Sequence, residues 1–512
     1  MSPTKKTRNY RNIVSSTALF GSAQVINVVM NAVKVKLVAW ILHSTGMGIM
    51  SLLTNAANTI QQVALMGINI SAVRHISQVS EAGDERVLST TVRIVRSMVF
   101  FAAVLGLLLT LAFSPLMTQL SFDSLDYLPF FLLLSVVVFV NVMGTGELAI
   151  MQGLRRYKQL AFCSVVPSLG GLLISVPIYY IWGLKGIVPA MIVMALVYYM
   201  AIRFYSYRDR TPRPDRPRVT LQTIWTQGHE IIQFGMVMTV GVVLGAVTTY
   251  ALTAFISSTG SVADVGFYQA GNAITTQYIG MLFTAMATDY YPKLSSMVKE
   301  RMSEARRYVN QQTEIVLLIV TPLSMLMILS APLLIHIFLT EEFQTIRTMV
   351  RFMGLSCVFK ALCFPMDYIA YAKGDRNYIF WVEAIWGNVK TFTVISTFYL
   401  FMGIDGLGYG VLCSSVIDVL VCLLLTRLRY GFHLSTESLQ LLIVMLSLAI
   451  VCFIASFIPH FWSSYLAMGA LTLGCFVYSL LQLDRRMDMR ALLRRFTHRE
   501  ESREEPLEAS KS

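Results

Sequence analysis

Apolar runs of about twenty residues succeed one another along this chain, and a run of that length is what a helix needs to cross a hydrocarbon core. Inside lipid the backbone finds no water to bond, so each crossing must satisfy its own N–H and C=O groups, as a helix does. The composition agrees: 55% of residues are hydrophobic and 14% charged, against roughly a quarter charged in soluble domains. Length and apolarity place about fourteen candidate helices. They fall at 12–36, 46–68, 93–116, 127–151, 160–182, 184–206, 230–256, 265–288, 313–338, 346–372, 377–402, 406–426, 439–458 and 462–483. The expected fold class is an all-α polytopic membrane protein of about fourteen transmembrane helices.

Charge on the connections gives the orientation. One alternating set collects Lys5, Lys6, Arg8 and Arg11, then Arg74 and Arg86, then Arg155, Arg156 and Lys158, and continues through Arg208–Arg218, Lys293–Arg307, Arg376, Arg427 and Arg485. The other set carries Asp123, Asp126, Glu341, Glu342 and Asp405, with Lys185 and Arg347 as its basic exceptions. Inward loops of membrane proteins are enriched in Lys and Arg, so both termini are expected in the cytoplasm. The first apolar run is interrupted by Gln24, Asn27 and Asn31 and reads as a retained span rather than a cleaved signal. The formal net charge of +12 is then topological. No polar domain is present to bind nucleic acid; the partner implied is the bilayer itself. The 7 cysteines lie in apolar segments without metal-like spacing and read as small buried side chains.

The longest polar connection, 207–226, contains Pro212, Pro214 and Pro217. It reads as a cytoplasmic linker between an N-lobe of spans one to six (1–206) and a C-lobe of spans seven to twelve (227–430). An extra helix pair (431–483) and a cytoplasmic tail (484–512) follow. A weak repeat supports two six-helix lobes: Gly153-Leu154-Arg155-Arg156-Tyr157 and Gly374-Asp375-Arg376-Asn377-Tyr378 share G-x-R-x-Y, and Gly48, Thr54 and Asn58 share their spacing with Gly266, Asn272 and Thr276. Parallel repeats of this kind are expected to hold a substrate site between the halves.

Polar residues inside the spans are the candidate site. At 100° per residue, Gln24, Asn27, Asn31 and Lys34 fall on one face of span one. Asn55, Asn58 and Gln62 form a stripe on span two, and Gln269, Asn272 and Thr276 another on span eight. Polar faces turn to a partner helix or a watery cavity, not to lipid. Interhelical hydrogen bonding explains any single amide; several stripes at or beside repeat-related positions favour a shared hydrated cavity. Lys36 reads as snorkelling to the outer headgroups, whereas Lys34 either snorkels or faces the cavity. Span ten carries Lys360 and Asp367, and span eleven Glu383 and Lys390. Either these pair with one another, or the lysines hold an anionic substrate group and a carboxylate carries a coupling ion. Glu147 in span four is a further intramembrane acid, and Arg74 stands at the inner mouth of span two. The chain has no phosphate-binding G-x-x-x-x-G-K-[ST] loop, no metalloprotease histidine pair and no loop large enough for a catalytic domain. No enzyme activity, cofactor or metal is expected.

Several segments resemble polysaccharide flippases. Lys36 followed by Leu42-His43-Ser44-Thr45-Gly46-Met47-Gly48 is similar to their K-x-x-x-x-x-LG-x-x-G-x-G, with His43 in place of a glycine. Val265-Gly266-Phe267-Tyr268-Gln269-Ala270 resembles V-G-x-Y-x-A, and Tyr291-Pro292-Lys293-Leu294-Ser295 resembles Y-P-x-L-S. The segment Phe338–Phe343 and the loop Gly153–Tyr157 also match in place. In order and layout the chain resembles the Wzx-type O-antigen and polysaccharide translocases of the multidrug/oligosaccharidyl-lipid/polysaccharide exporter superfamily.

The resemblance implies a bacterial inner-membrane flippase. It would move an undecaprenyl-pyrophosphate-linked oligosaccharide from the cytoplasmic to the periplasmic leaflet by alternating access, driven by an ion gradient. Lys34, Lys360, Lys390, Gln24, Asn27, Asn31, Asn58, Gln269, Asn272 and Arg74 would then meet pyrophosphate or glycan, with Glu147, Asp367 and Glu383 as coupling candidates. A polysaccharide polymerase and other assembly proteins are the implied protein partners. The competing readings are a lipid II flippase, a cation-coupled multidrug exporter of the same superfamily, and a non-transporting scaffold for cell-envelope assembly.

Overall fold

The structure, a computed structural model, describes residues 5–208, 221–275 and 279–487. Most of the expected linker and nearly all of the expected tail lie outside these residues. Every regular element among the described residues is helical. In chain order they are α1 (Lys5–Leu65), α2 (Ile68–Ala82), α3 (Glu85–Phe122), α4 (Leu128–Gly153), α5 (Tyr157–Trp182), α6 (Ile187–Arg208), α7 (Leu221–Thr259) and α8 (Val262–Thr275). They continue with α9 (Met281–Glu300), α10 (Met302–Phe338), α11 (Arg347–Lys373), α12 (Arg376–Tyr378), α13 (Gly387–Tyr430), α14 (Thr436–Ala455) and α15 (Phe461–Met487). A π-helical stretch, Ile379–Trp386, joins α12 to α13. Among the described residues, 10 helical stretches are long and apolar enough to cross a membrane. The chain is a multi-pass membrane protein.

Helix ends follow local chemistry. Asp84 starts α3 by accepting from the backbone N–H groups of Arg86 and Val87, and Ser435 starts α14 by accepting from that of Ser438; both satisfy otherwise orphaned donors. Two long helices are broken where the sequence places a span boundary. In α13 the break is Gly403, at φ 60° and ψ −138°, a conformation open essentially to glycine. In α1 it is His43, at φ 57°. A Cβ makes left-handed backbone costly. Here a carboxylate supports the turn: Glu342 accepts from the Ser44 backbone N–H at 3.4 Å, from the Ser44 hydroxyl, and lies 3.4 Å from His43 Nδ1.

The stretch 69–92, which falls between expected spans, is not all loop. Most of it is α2, which buries Ile68, Ser71, Ala72 and Ile76 at helical spacing.

The chain divides into two compact units, each discontinuous in sequence. Unit 1 comprises Met1–Gly271, Ile335–Ile346 and Asn377–Leu407; unit 2 comprises Asn272–Leu334, Arg347–Arg376 and Gly408–Ser512. Within unit 1 the second half of α1 crosses α8 at two glycines. A Cβ on Gly48 would strike the Val262 carbonyl oxygen, and one on Gly266 would strike that of Ser44. Such small residues let backbones approach where no hydrophobic effect drives helices together. Also in unit 1, Phe343 is fully buried and meets Phe267 edge to face at 5.3 Å.

Within unit 2 the extra pair α14–α15 is fastened at both ends. Arg351 on α11, 6% exposed, donates to the Ser456 carbonyl at the end of α14 at 2.9 Å. At the other end, Glu314 on α10 accepts from Ser438 of α14 at 2.7 Å and from Arg486 of α15 at 2.8 Å. A helix-end carbonyl without an intrahelical donor and a buried carboxylate are suitable partners for a guanidinium drawn out of water.

Candidate functional site

Unit 1 contains a cavity of about 440 Å³, within the usual range for ligand sites. Its walls come from both halves of α1 and from α4, α5, α6 and α8. The polar stripe of α1 supplies Asn31 and Lys34, the second half of α1 supplies Ser51, Thr54 and Asn55, and α8 supplies Gln269. Asn141, Ser168 and Tyr198 complete the polar lining, while Met30, Met47, Met50, Met191 and Met194 make much of the rest. Unbranched methionines adapt to irregular ligands.

The electrostatics are simple. Among the described lining residues Lys34 is the cation and no Asp or Glu is present. Its ammonium lies 3.6 Å from the Met194 sulfur. A thioether is a weak acceptor, so it does little to replace the water that an ammonium gives up on partial burial. Water or an anion entering the cavity must supply the rest. The amides offer both donors and acceptors. Asn55 donates to Ser51 and, at 3.5 Å, to Thr253, and the carbonyl of Asn27 accepts from Ser168 at 2.8 Å. The lining can therefore solvate hydroxyl-rich groups around a single positive charge.

The structure distributes the sequence-derived candidates unevenly. It brings Asn31, Lys34 and Gln269 together on the lining, and places Asn27 against the lining residue Ser168. The side chain of Gln24 lies outside the described residues. Asn58 and Arg74 are exposed in unit 1 and outside the lining. Lys390 is buried and Glu383 half-buried, both in unit 1, with Glu383 in the π-helical stretch. Asn272, Lys360 and Asp367 belong to unit 2. There Asn272 and Lys360 are exposed, and Asp367 accepts from the Cys422 thiol at 3.2 Å.

Glu147 is 3% exposed. It accepts from Arg96 of α3, from Arg203 of α6 at 2.6 Å and from Ser206 at 3.1 Å. Sequence reading did not pair these residues, because the two arginines lie 51 and 56 positions away. It also missed Asn141, whose signal was a lone amide inside an otherwise apolar run, and Tyr198, which carried no signal distinguishing it from other span aromatics.

Known proteins place this architecture. The fold is that of a multidrug resistance MATE family transporter of the MOP superfamily in an inward-facing conformation, with a TM-score of 0.65 at 15% identity over 79% of this chain and 94% of that one. It is likewise similar to the lipid II flippase MurJ in an inward closed conformation, with a TM-score of 0.68 at 12% identity over 92% of this chain and 99% of that one. The eukaryotic MATE transporter AtDTX14 matches at a TM-score of 0.53 and 12% identity, over 85% and 99% of the two chains. No curated protein matches the sequence. Residues 37–348 match the family described as polysaccharide biosynthesis protein, a stretch that takes in most of the cavity lining and the Gly48–Gly266 crossing. This chain, a multi-pass membrane protein with the MATE and MurJ fold, belongs to the polysaccharide biosynthesis protein family.

Proposed function

We propose that this protein is a flippase for a lipid-linked oligosaccharide, carrying it from the cytoplasmic to the periplasmic leaflet of a bacterial inner membrane. The observation that carries this reading is the unit 1 cavity, lined by amides and hydroxyls around Lys34 and lacking a described carboxylate. A glycan needs hydrogen-bond partners in a space that lipid would deny it, and an ammonium is a compact point charge for a phosphate or another acidic group. The polyprenyl chain can stay in the bilayer throughout. No covalent step is required; transport needs only that the cavity open to one side and then the other.

Membership in the polysaccharide biosynthesis family supports the glycan, and the MATE and MurJ fold supports transport as the mode of action. A multidrug exporter for cations would be served better by carboxylates in the cavity than by Lys34. Asp367 and Glu383 remain the proposed coupling acids. Glu147 is already saturated by two guanidiniums and a hydroxyl, so a coupling proton has little claim on it.

The test is a leaflet-accessibility assay in proteoliposomes loaded with lipid-linked oligosaccharide. Transfer should proceed without ATP and collapse when the ion gradient is removed. Equal transfer rates in vesicles with and without the protein would refute the reading. Selective transfer of lipid II would replace the substrate.

A further inference from the structure

We propose that the cytoplasmic end of the α14–α15 hairpin is a binding site for one phospholipid whose headgroup carries an ammonium, of the phosphatidylethanolamine type. A groove of about 540 Å³ lies there, lined by Glu437, Gln440, Leu441, Val444 and Ile443 of α14 and by Tyr478, Gln482 and Arg486 of α15. On α14 the first four follow the i, i+3, i+4, i+7 pattern, so they share one face; on α15 the three are successive i, i+4 positions. The two faces form opposite walls.

The groove is graded along its length. Glu437 lies in the first turn of α14 and Arg486 in the last turn of α15, so the charged groups meet at one end of the hairpin. Tyr478 lies eight residues before Arg486, about 12 Å deeper at the helical rise, and Leu441 and Val444 lie deeper than Glu437. Charged groups at the mouth and apolar ones within match a headgroup and the start of its acyl chains. The neighbouring Leu439, Leu480 and Leu481 are exposed, as expected where a helix pair faces lipid.

The charges select the headgroup. Arg486 is fixed: Nε donates to Glu314 at 2.8 Å and Nη1 to the Gln482 side chain. Nη2 makes no hydrogen bond among the described residues and remains open to a phosphate oxygen. Glu314 already balances this guanidinium, and Glu437 adds a second carboxylate on the lining that has no described partner. Among the described residues of the groove, a purely anionic headgroup would therefore meet one more carboxylate than guanidinium. A headgroup with both a phosphate and an ammonium satisfies Arg486 and Glu437 together, with Gln440 beside them as a further acceptor. The site lies wholly in unit 2 and does not depend on what the unit 1 cavity carries.

The experiment uses the full-length protein, delipidated and titrated with phosphatidylethanolamine, phosphatidylcholine or phosphatidylglycerol, with bound lipid read by native mass spectrometry. Phosphatidylethanolamine should bind about fivefold tighter than phosphatidylglycerol. It should also bind tighter than phosphatidylcholine, whose methylated amine donates no hydrogen bond. Glu437→Gln should erase the preference with no more than a small drop in the melting temperature of the lipid-free protein, because Glu437 holds no described side-chain contact and acts on α14 only through the helix N-terminus. Val444→Trp, on a lipid-facing position, should fill the groove and abolish binding of all three lipids. Equal or tighter binding of phosphatidylglycerol to the wild type overturns the proposal, as does a preference that survives Glu437→Gln or binding that survives Val444→Trp. Displacement of phosphatidylethanolamine by stoichiometric lipid-linked oligosaccharide would assign the groove to the transported lipid and overturn it as well.

Discussion

Arg96 grips Glu147 as a fork, with Nε 2.8 Å from one carboxylate oxygen and Nη2 3.0 Å from the other. The arginine is near the start of α3 and the glutamate near the end of α4, while Arg203, the second cation on the same carboxylate, is near the end of α6. Three helices thus meet through charge at one end of unit 1. Removing one partner of a buried pair costs about 3–5 kcal/mol. The guanidiniums are 28% and 36% exposed, so the cost of Glu147→Ala should fall at the lower end. It should still lower the melting temperature clearly, and more than Arg203→Ala, which leaves the fork intact. Thermal unfolding of the two variants in detergent decides this; equal melting temperatures would mean that the fork contributes nothing.

His43 occupies a left-handed turn at φ 57°. That conformation costs a residue with a Cβ roughly 1–2 kcal/mol relative to glycine. Its contact with Glu342 is an exposed one, with the His43 side chain 70% accessible, and pairs of that kind are worth about 0–1 kcal/mol. His43→Gly should therefore stabilise the protein slightly, by about 1 kcal/mol. The Glu342–Ser44 hydrogen bonds should persist. A lower melting temperature in the glycine variant would show that the His43–Glu342 pair outweighs the strain.

Gly48 and Gly266 have backbone where a side chain would go. Carbonyl oxygens cannot rotate away as side chains can, so Gly48→Ala and Gly266→Ala must force α1 and α8 apart. Overpacking of this kind costs about 1–3 kcal/mol. Since the two positions face the same crossing, the double variant should lose less than the sum of the two single losses. Additive losses measured by chemical denaturation would place the two glycines in independent contacts.

Glu314 joins α10 to both α14 and α15. Glu314→Ala leaves Arg486 without its carboxylate partner, and amide exchange should accelerate in α14 and α15 while α3, α4 and α6 keep wild-type protection. Uniform acceleration throughout the chain would instead mark Glu314 as a determinant of global stability.

Lys34 lines the cavity, whereas Lys36, two residues on, is exposed and bonds the His336 carbonyl at 3.3 Å. Loss of a charge-assisted contact of about 1.5–3 kcal/mol predicts that Lys34→Gln slows flipping by roughly tenfold or more. Lys36→Gln should be close to wild type. Proteoliposome rates for the pair measure the difference, and equal rates would remove Lys34 from the transport path.

The repeat seen in sequence shows where residue matching stops short of structure. Gly153 and Gly374 align in G-x-R-x-Y, and both loops close with the same two backbone hydrogen bonds. In the first, Arg155 bonds Gln152 and Arg156 bonds Met151; in the second, Gly374 bonds Tyr371 and Asp375 bonds Ala370. The structural counterpart of Gly374, at φ 70°, is therefore Arg155, at φ 54°, not Gly153. Gly153 is small for another reason, since a Cβ there would lie 2.8 Å from that of Ile76.

The sequence by itself determined that this chain is helical and threads a membrane, because twenty apolar residues in lipid leave the backbone no other solution. It also located the breaks near His43 and Gly403 and put Asn31, Lys34 and Gln269 on polar faces, since helical periodicity is a local property. Tertiary structure alone decided which of those faces enclose a common space. Glu147 carried the signal of any intramembrane acid until α3 and α6 brought it two arginines. The pairing of Arg486 with Glu314 likewise had no sequence signal until α10 and α15 came together. A lysine or a carboxylate carries the same local signal whether its partner is solvent, substrate or another helix, and only packing brings the partner to it.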